Sequence, residues 1–358
     1  MTMNFDSEIH SFIKVWLTAT TSLIFCHQIP ARIPGGAARL LSILPIIYLF
    51  TILPTHLSSI HLATPTIFYL VWLGNFKLLL FSFDQGPLSA NPPLSLLHFI
   101  SIALLPIKTE TSTKQNPSPT SYSNLEKWKK AAIFAVKCLL LAANVCIYKF
   151  RDFFHQYAIL ALYCFHLYLS VEIVLAITAA PVRPILGLEL EPQFNEPYLA
   201  TSLQDFWGRR WNLMVPGIMR PTVYHPVRRI SARVLGNRWA LPPAILATFI
   251  VSGLMHEAMY YYLSRASPTW EVTWFFVLQG FCLVVEVAAK KAALAGGWRL
   301  HRMVSGPLTV VFVAVTGRWL FFPQVIRNGL DRRTFDEYHI LFGLIGEWGQ
   351  RLISTLKF

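Results

Sequence analysis

A histidine and a glutamate stand side by side in an otherwise apolar segment, within the run Ser-Gly-Leu-Met-His-Glu at residues 252–257. An ionisable side chain is costly among Ala, Ile, Leu, Phe and Val, so its presence indicates a partner or a function. A neutral imidazole can take a proton from a hydroxyl group, and its ordinary pKa of about 6.5 suits a general base. His256 is therefore a candidate catalytic base, with a histidine that joins two helices by a hydrogen bond as the simpler alternative.

Helical spacing determines which neighbours share a face with His256. Ser252 and Tyr260 are each four residues away and lie on the same face. Glu257 points about 100 degrees away from them. A hydrolase dyad of Ser252 and His256 is a third possibility, but the serine lacks the Gly-x-Ser-x-Gly turn of that class of enzyme.

An aromatic and basic motif, Asp-Phe-Trp-Gly-Arg-Arg-Trp-Asn, occupies residues 205–212. The amide of Asn212 can donate and accept hydrogen bonds, so it can hold a substrate hydroxyl or a developing oxyanion. Guanidinium groups match phosphate oxygens, and arginines lie in and after the motif, at Arg209, Arg210, Arg220, Arg228, Arg229, Arg233 and Arg238. They indicate a mouth for the phosphates of a nucleotide-bearing thioester, or simple attraction of a surface helix to anionic lipid.

Composition identifies the class of protein that carries these residues. Of 358 residues, 54% are hydrophobic and 14% charged, against roughly 25% charged in a soluble domain. The chain is therefore predicted to be a polytopic membrane protein. Its net charge of +13 does not form a basic stripe with interleaved aromatics, which argues against a nucleic-acid partner and favours membrane lipids and phosphorylated ligands. The five cysteines lie in apolar segments without a Cys-x-x-Cys pair, so no metal site is predicted.

Apolar segments predict eight or nine membrane spans in an all-α bundle, at about 11–28, 39–57, 62–83, 94–107, 131–148, 156–180, 242–263, 273–293 and 304–326. The segment 94–107 is shorter than the roughly 20 residues of a straight span, so it can be re-entrant or tilted. A polar run at 108–130 predicts a mobile loop, and the tail at 327–358 has the pattern of an interfacial amphipathic helix.

Lys and Arg placement predicts the orientation. The loops 108–130, 181–240 and 290–302 hold 5, 8 and 4 of these residues, whereas 28–39, 84–93, 149–154 and 264–269 hold 2, 0, 2 and 1. The positive-inside rule then places the first three loops and the N-terminus in the cytosol. The segment 181–241 is accordingly predicted to be a cytosolic loop that carries the motif.

Scattered polar residues in the other spans are predicted to be structural. Buried pairing is favoured over a proton or ion pathway for Glu172, Glu286, Lys14 and Lys77. The histidines His98, His155 and His166 lack Cys or Asp partners at the spacing of metal ligands.

The motif at 205–212, followed by the apolar helix with Val-Ser-Gly-Leu-Met-His-Glu, resembles the membrane-bound O-acyltransferase superfamily and, within it, the plant wax-synthase branch. The stretches 69–88, 194–198 and 319–323 also resemble that branch, so the similarity extends over nearly the whole chain. The resemblance implies one acyltransferase domain over residues 1–358, folded as a helical bundle around a reaction tunnel in the endoplasmic-reticulum membrane.

The resemblance also implies an activity. A fatty acyl group would pass from acyl-CoA to a long-chain fatty alcohol from the bilayer, giving a wax ester and CoA. A sterol, a triterpenol or diacylglycerol is an alternative acceptor, the last two with acetyl-CoA as donor. In the superfamily the matching histidine, His256, is the base and Asn212 its companion, whereas Asp205, Trp207, Arg209 and Arg210 are assigned to the CoA entrance. No metal or cofactor is implied beyond acyl-CoA as co-substrate.

Two classes without acyltransferase activity remain alternatives at this point. A membrane transporter would also place Glu and His in its spans, but the chain lacks the two related halves that such folds usually have. A lipid-binding scaffold would explain the helices and the basic loop, but not the occurrence of Asn212 and His256 together.

Overall fold

The computed structural model describes residues 5–106, 124–182, 186, 193–295, 300–341 and 343, and within them all regular structure is helical. The longer helices are α1 (Phe5–Gln28), α2 (Ala37–Ile52), α3 (Ile60–Ser82), α4 (Leu96–Leu104), α5 (Asn124–Tyr148), α6 (Gln156–Ala179), α7 (His225–Leu235), α8 (Leu241–Ser264), α9 (Glu271–Ala295), α10 (Arg302–Arg327) and α11 (330–341). Eight of them are long and apolar enough to cross a membrane, namely α1, α2, α3, α5, α6, α8, α9 and α10. The prediction of an all-α, multi-pass protein is confirmed.

Helix α4 occupies the predicted fourth span but has only nine residues. At 1.5 Å per residue it covers about half of the roughly 30 Å hydrocarbon layer. The fully buried Lys77 of α3 donates hydrogen bonds from Nζ to the carbonyl oxygens of Ile102 and Leu105, at 2.6 and 2.7 Å. An ammonium group at the negative end of a helix stabilises it. The segment is therefore a half-helix held by Lys77, and the described residues contain eight candidate spans.

The shorter count changes which loops share a side of the membrane. The carboxylate of Glu8 accepts hydrogen bonds from the backbone N–H groups of Ser58 and Ser59, and Arg333 donates to the carbonyl oxygens of Ser58 and Leu263. The start of α1, the α2–α3 corner, the end of α8 and α11 thus lie at one end of the bundle, which we call the far end. Residues 28–36, 83–95 and 193–240 lie at the opposite, motif end.

The N-terminus consequently lies opposite the motif, and the prediction that both share a side is wrong because α4 does not cross. Counted over eight spans, the described parts of the segments 108–130, 181–240 and 290–302 still share one side, and 28–39 and 84–93 join them. The Lys and Arg excess still favours the cytosol for that side.

The predicted motif loop is folded over its described residues. It consists of the helical segments Leu203–Asp205, Phe206–Arg210, Met214–Met219 and Arg220–Tyr224, followed by α7. Met214 and Ile218 are buried in one apolar cluster with Tyr69 and Trp72 of α3. The region therefore packs into the bundle and does not lie only on its surface. The two other predicted segments, the mobile loop at 108–130 and the amphipathic tail at 327–358, are described only in part. Residues 108–123 and most of the tail beyond residue 341 lie outside the described residues.

Helices α8 and α9 pack most closely where α8 carries a glycine. A Cβ atom at Gly253 would lie 3.0 Å from the Cα atom of Thr273 and 3.2 Å from its carbonyl oxygen. Only glycine allows the two backbones to approach this far without a shift. The contact fixes the stretch of α8 that carries His256 against α9.

Candidate active site

His256 lies in the interior of α8, and its imidazole is held by the backbone of its own helix. The Nδ1 atom lies 2.8 Å from the carbonyl oxygen of Ser252. Because a carbonyl oxygen only accepts, Nδ1 carries the hydrogen, and Nε2 of the neutral ring keeps its lone pair. The hydrogen bond goes to the backbone and not to the Ser252 hydroxyl, so the geometry does not form a serine–histidine dyad.

Aromatic rings surround this imidazole. Phe276 stacks on it with ring centroids 4.3 Å apart, Trp72 meets it edge-on at 5.1 Å, and Phe321 lies at 6.0 Å. Glu257 points away and accepts hydrogen bonds from the backbone N–H groups of Thr269 and Trp270, at 3.0 and 3.1 Å. No carboxylate of a described residue bonds to the imidazole, and its ring contacts are aromatic.

Asn212 is the second residue predicted for catalysis, and it lies at the end of the motif in a left-handed conformation with φ of 37°. Asparagine tolerates this conformation better than most residues. Its residue is 8% exposed, and its Oδ1 atom has no hydrogen-bond partner among the described residues. An unpaired buried amide oxygen costs about 1–3 kcal/mol. Among the described residues, this oxygen is therefore free to accept a hydrogen bond from a ligand in the cavity.

One cavity of about 1400 Å³ brings His256 and Asn212 together. It exceeds the roughly 300–1,000 Å³ of most small-molecule sites. Arg220 and His225 line it at the motif end, and Asp331 lines it at the far end. Most of the remaining lining is apolar, from α3, α6, α8, α9 and α10. The cavity thus runs from one end of the bundle to the other and passes the two predicted catalytic residues.

Asp205 and Arg210, predicted to line the CoA entrance, contact each other. Arg210 Nε donates to Asp205 Oδ2 at 2.7 Å, and Nη1 donates to the carbonyl oxygens of Asn195 and Glu196 at 3.2 Å. The same Asp205 oxygen accepts from the backbone N–H of Thr201. These contacts brace the motif against the chain before it, and contact of this pair with CoA stays a prediction.

Trp207 lies in the wall of the cavity. Its Nε1–H donates to Gln279 Oε1 at 3.1 Å, and Gln279 Nε2 donates to Thr316 Oγ1 at 2.8 Å. Gln279 is completely buried. Sequence reasoning missed this chain of hydrogen bonds, although Gln279 was visible as a polar residue in the middle of an apolar helix.

Two arginines of the motif region remain available, one on the surface and one in the wall of the cavity. Arg209 is exposed and forms no hydrogen bond or ion pair with any described residue. Arg220 lines the cavity and donates to the carbonyl oxygen of Gly208 at 3.2 Å. The guanidinium group of Arg220 in the wall, with Arg209 on the surface beside the lining residue Gly208, gives this end of the cavity positive charge, as a ligand with phosphates would require.

The scattered polar residues mostly have structural partners. Glu172 pairs with Lys137, and Glu286 accepts from the backbone N–H groups of Leu203 and Gln204 at 2.7 and 3.2 Å. Lys14 is exposed. The described residues contain no group of three His, Cys, Asp or Glu side chains that could hold a metal ion.

Comparison with known proteins indicates the family to which this chain is similar. Residues 190–278, which include both the motif and His256, match the Membrane bound O-acyl transferase family. The chain is 53% identical over 341 residues to a long-chain-alcohol O-fatty-acyltransferase of Simmondsia chinensis, covering 95% of this chain and 96% of that protein. It is 43% identical over 348 residues to acyl-CoA–sterol O-acyltransferase 1 of Arabidopsis thaliana, covering 97% and 99%.

Proposed function

Since the chain belongs to the membrane-bound O-acyltransferase family, in its plant wax-synthase branch, we propose that it transfers a fatty acyl group from acyl-CoA to a long-chain alcohol, with His256 as the base. That the protein is an acyltransferase follows from the family. The choice of alcohol and the role of His256 are the proposal. It rests chiefly on one observation, that the Nδ1–H of His256 is bonded to Ser252 while the ring lines the cavity that Asn212 also lines.

In the proposed reaction the alcohol oxygen attacks the thioester carbonyl while its proton moves to Nε2 of His256. The positive charge that forms on the ring strengthens the Nδ1–H hydrogen bond to the Ser252 carbonyl oxygen. The amide of Asn212 orients a reactant or stabilises the tetrahedral oxyanion. The carbon–sulfur bond then breaks, and the proton on His256 passes to the departing thiolate. The products are an ester and CoA, with no net gain or loss of protons.

The two ends of the cavity suit different reactants. The motif end, with Arg220 in the cavity wall and Arg209 exposed beside the lining residue Gly208, fits the phosphates of CoA. The long apolar part fits an acyl chain and an alcohol chain. We expect no metal or organic cofactor, because a thioester is already activated and the base generates the nucleophile.

A fatty alcohol is proposed as the acceptor because the lining beside His256 is apolar and because the relative from Simmondsia chinensis is named for long-chain alcohols. A sterol is a second candidate, favoured by the sterol acyltransferase of Arabidopsis thaliana. The cavity volume of about 1400 Å³ is large enough for either class of lipid to be considered.

The test is acyl transfer by membranes from a host without neutral-lipid acyltransferases of its own. Labelled palmitoyl-CoA and acetyl-CoA would be supplied against fatty alcohol, sterol, triterpenol and diacylglycerol, with the His256→Ala protein as control. We expect labelled ester with palmitoyl-CoA and fatty alcohol from the intact protein alone. Ester with sterol but not with fatty alcohol would replace the proposed acceptor, and full activity of His256→Ala would remove the proposed base.

We further propose that the protein lies in the endoplasmic-reticulum membrane with the motif end in the cytosol, where the Lys and Arg excess places it. An N-glycosylation sequence added before Phe5 should then receive a glycan, whereas one inserted in 84–93 should not. The reverse pattern would contradict this orientation.

A further inference from the structure

The far end of the cavity carries polar side chains that the proposed reaction does not use. Three of them, His61 of α3, His166 of α6 and Asp331 of α11, line the cavity, and each has a buried polar atom without a hydrogen-bond partner among the described residues. Each unpaired buried group costs about 1–3 kcal/mol. His61 and His166 both contact the ring of Tyr338, with centroids 4.3 and 5.7 Å apart, and Tyr338 lies about two helical turns after Asp331 on α11. Their proximity at the far end of the cavity indicates a binding site.

Asp331 is the most buried of the three, with 7% of its residue exposed. Its Oδ2 atom accepts hydrogen bonds from the hydroxyl groups of Tyr148 and Tyr163, at 2.8 and 2.9 Å. Its Oδ1 atom is the unpaired one. The two tyrosines, with Arg151 Nη1 at 3.6 Å from the same Oδ2 atom, therefore hold the carboxylate and leave Oδ1 to accept a further hydrogen bond.

The two histidines are held in the same way, by one ring nitrogen each. His61 Nδ1 lies 2.8 Å from Glu337 Oε2, and because the carboxylate accepts, this nitrogen donates. His61 Nε2 then remains as an unpaired acceptor. His166 Nε2 lies 3.2 Å from Ser170 Oγ, and its Nδ1 is unpaired. Most of these unpaired atoms are hydrogen-bond acceptors, so a ligand that satisfies them must carry a hydrogen-bond donor.

A neutral hydroxyl group is the ligand chemistry that fits. It donates to an acceptor oxygen or nitrogen and can still accept from His166. An ionised carboxylate has no hydrogen to donate to the free oxygen of Asp331, so it leaves that atom unpaired.

The site lies at a distance from His256 that a lipid chain can cover. His256 is eight residues before the end of α8 at Ser264, which corresponds to about 12 Å along the helix. Arg333 of α11 donates to the carbonyl oxygen of Leu263 at 3.0 Å, so the polar cluster lies near that end. Apolar rings, including Phe321 and Phe322, line the space between.

We propose that His61, His166 and Asp331 form a second hydroxyl-binding subsite, which holds a hydroxyl group at the far end of a lipid alcohol whose first hydroxyl reacts at His256. The protein would thus prefer an alcohol with hydroxyl groups at both ends over a simple alcohol of equal length. This rests on the proposed function only for the role of the first hydroxyl, since binding at the subsite does not require acyl transfer.

The test measures binding and turnover separately. Binding would be measured as the shift in melting midpoint of the protein in phosphatidylcholine nanodiscs, with 1-alkanols and with α,ω-alkanediols of about 10 to 18 carbons. These lengths are chosen because His256 and the subsite are about 12 Å or more apart. At the matching length we expect the diol to bind about fivefold to tenfold more tightly, as one or two added hydrogen bonds allow. His166→Phe should remove this preference, because it keeps a ring beside Phe335 and Tyr338 but lacks Nδ1.

His10→Phe is the matched control, because His10 is exposed near the start of α1. It should leave the diol preference and acyl transfer to 1-alkanols unchanged. Equal binding of diol and simple alcohol at every length, equal behaviour of the two histidine variants, or tighter binding of a fatty acid than of the diol would each overturn the subsite. If no alcohol is esterified but diols still bind more tightly, the proposed reaction fails and the subsite stands.

Discussion

The Nδ1 atom of His256 lies 2.8 Å from the carbonyl oxygen of Ser252, one helical turn earlier in α8. The usual orienting group of a catalytic histidine is a carboxylate, but here the neighbouring Glu257 instead binds the start of α9. A backbone carbonyl fixes the tautomer equally well, and it introduces no charge into an apolar cavity. A substitution at Ser252 cannot remove this contact, because the backbone supplies it.

We therefore predict that His256→Ala loses acyl transfer by a factor of about 100 to 10,000, the usual contribution of a general base. Ser252→Ala should retain activity within a few-fold, because it keeps the carbonyl oxygen. The measurement is initial rate at saturating acyl-CoA, with membrane insertion of both variants checked. A loss for Ser252→Ala as large as that for His256→Ala would favour a serine nucleophile.

The amide of Asn212 should contribute to the rate more than to the binding of acyl-CoA. Asn212→Gly removes the amide without straining the backbone at φ of 37°. It should lower kcat by about 100-fold, as loss of an oxyanion-stabilising group does, with KM for acyl-CoA nearly unchanged. Asn212→Asp should lose a similar factor, since a carboxylate repels the oxyanion. A rise in KM with normal kcat would show that the residue only binds substrate.

Arg209 and Arg210 are adjacent but should respond differently. Arg209 is exposed and unpaired among the described residues, so Arg209→Ala should raise KM for acyl-CoA several-fold, less so at high salt. Arg210 braces Asp205 and the backbone, so Arg210→Ala should lower the free energy of unfolding by about 1–3 kcal/mol. Kinetics and thermal melting of both variants distinguish these effects. If Arg209→Ala lowered the stability and Arg210→Ala raised KM instead, the roles assigned to the two arginines would be reversed.

Lys77 should matter for stability although it is remote from the chemistry. Lys77→Met leaves the carbonyl oxygens of Ile102 and Leu105 without their donor, which should cost about 1–3 kcal/mol. Lys14→Met is the control, because Lys14 is exposed on α1. The melting midpoint of the purified protein should fall for the first variant and not for the second. Equal midpoints would mean that α4 is held by its apolar contacts alone.

Glu337 should make stability depend on pH. Burial raises the pKa of its carboxyl, but hydrogen bonds from His61, Ser59 and the backbone N–H groups of Ile60 and His61 outweigh this and hold the pKa below its usual value of 4.5. A lowered folded-state pKa contributes stability above the unfolded value, and that contribution is lost as the pH falls through the folded value.

The difference in melting midpoint between wild type and Glu337→Gln should therefore be constant above about pH 5.5 and shrink towards lower pH. Asp336→Asn, at the exposed neighbouring position, should show no such dependence. A difference that grows as the pH falls would contradict the assigned direction of the shift.

The sequence by itself determined which segments enter the membrane, because a run of about 20 apolar residues has few alternatives to a spanning helix. It also identified His256, because such a group is costly in lipid, and Asn212, because its amide ends the aromatic and basic motif at 205–212. Eight of the nine predicted segments needed only changes of boundary, and the largest of these changes is at the start of α1, which begins at Phe5. The length of segment 94–107 alone could not decide whether it crosses the membrane.

Only the tertiary structure decided how residues distant in the chain meet. Lys77 ends α4 as a half-helix, and that contact moves the N-terminus to the opposite side from the motif. Asp205 and Arg210, equally plausible as CoA ligands, are paired with each other. The subsite of His61, His166 and Asp331 joins three helices. Helical periodicity relates only residues a few positions apart, so contacts between elements depend on packing that periodicity does not encode.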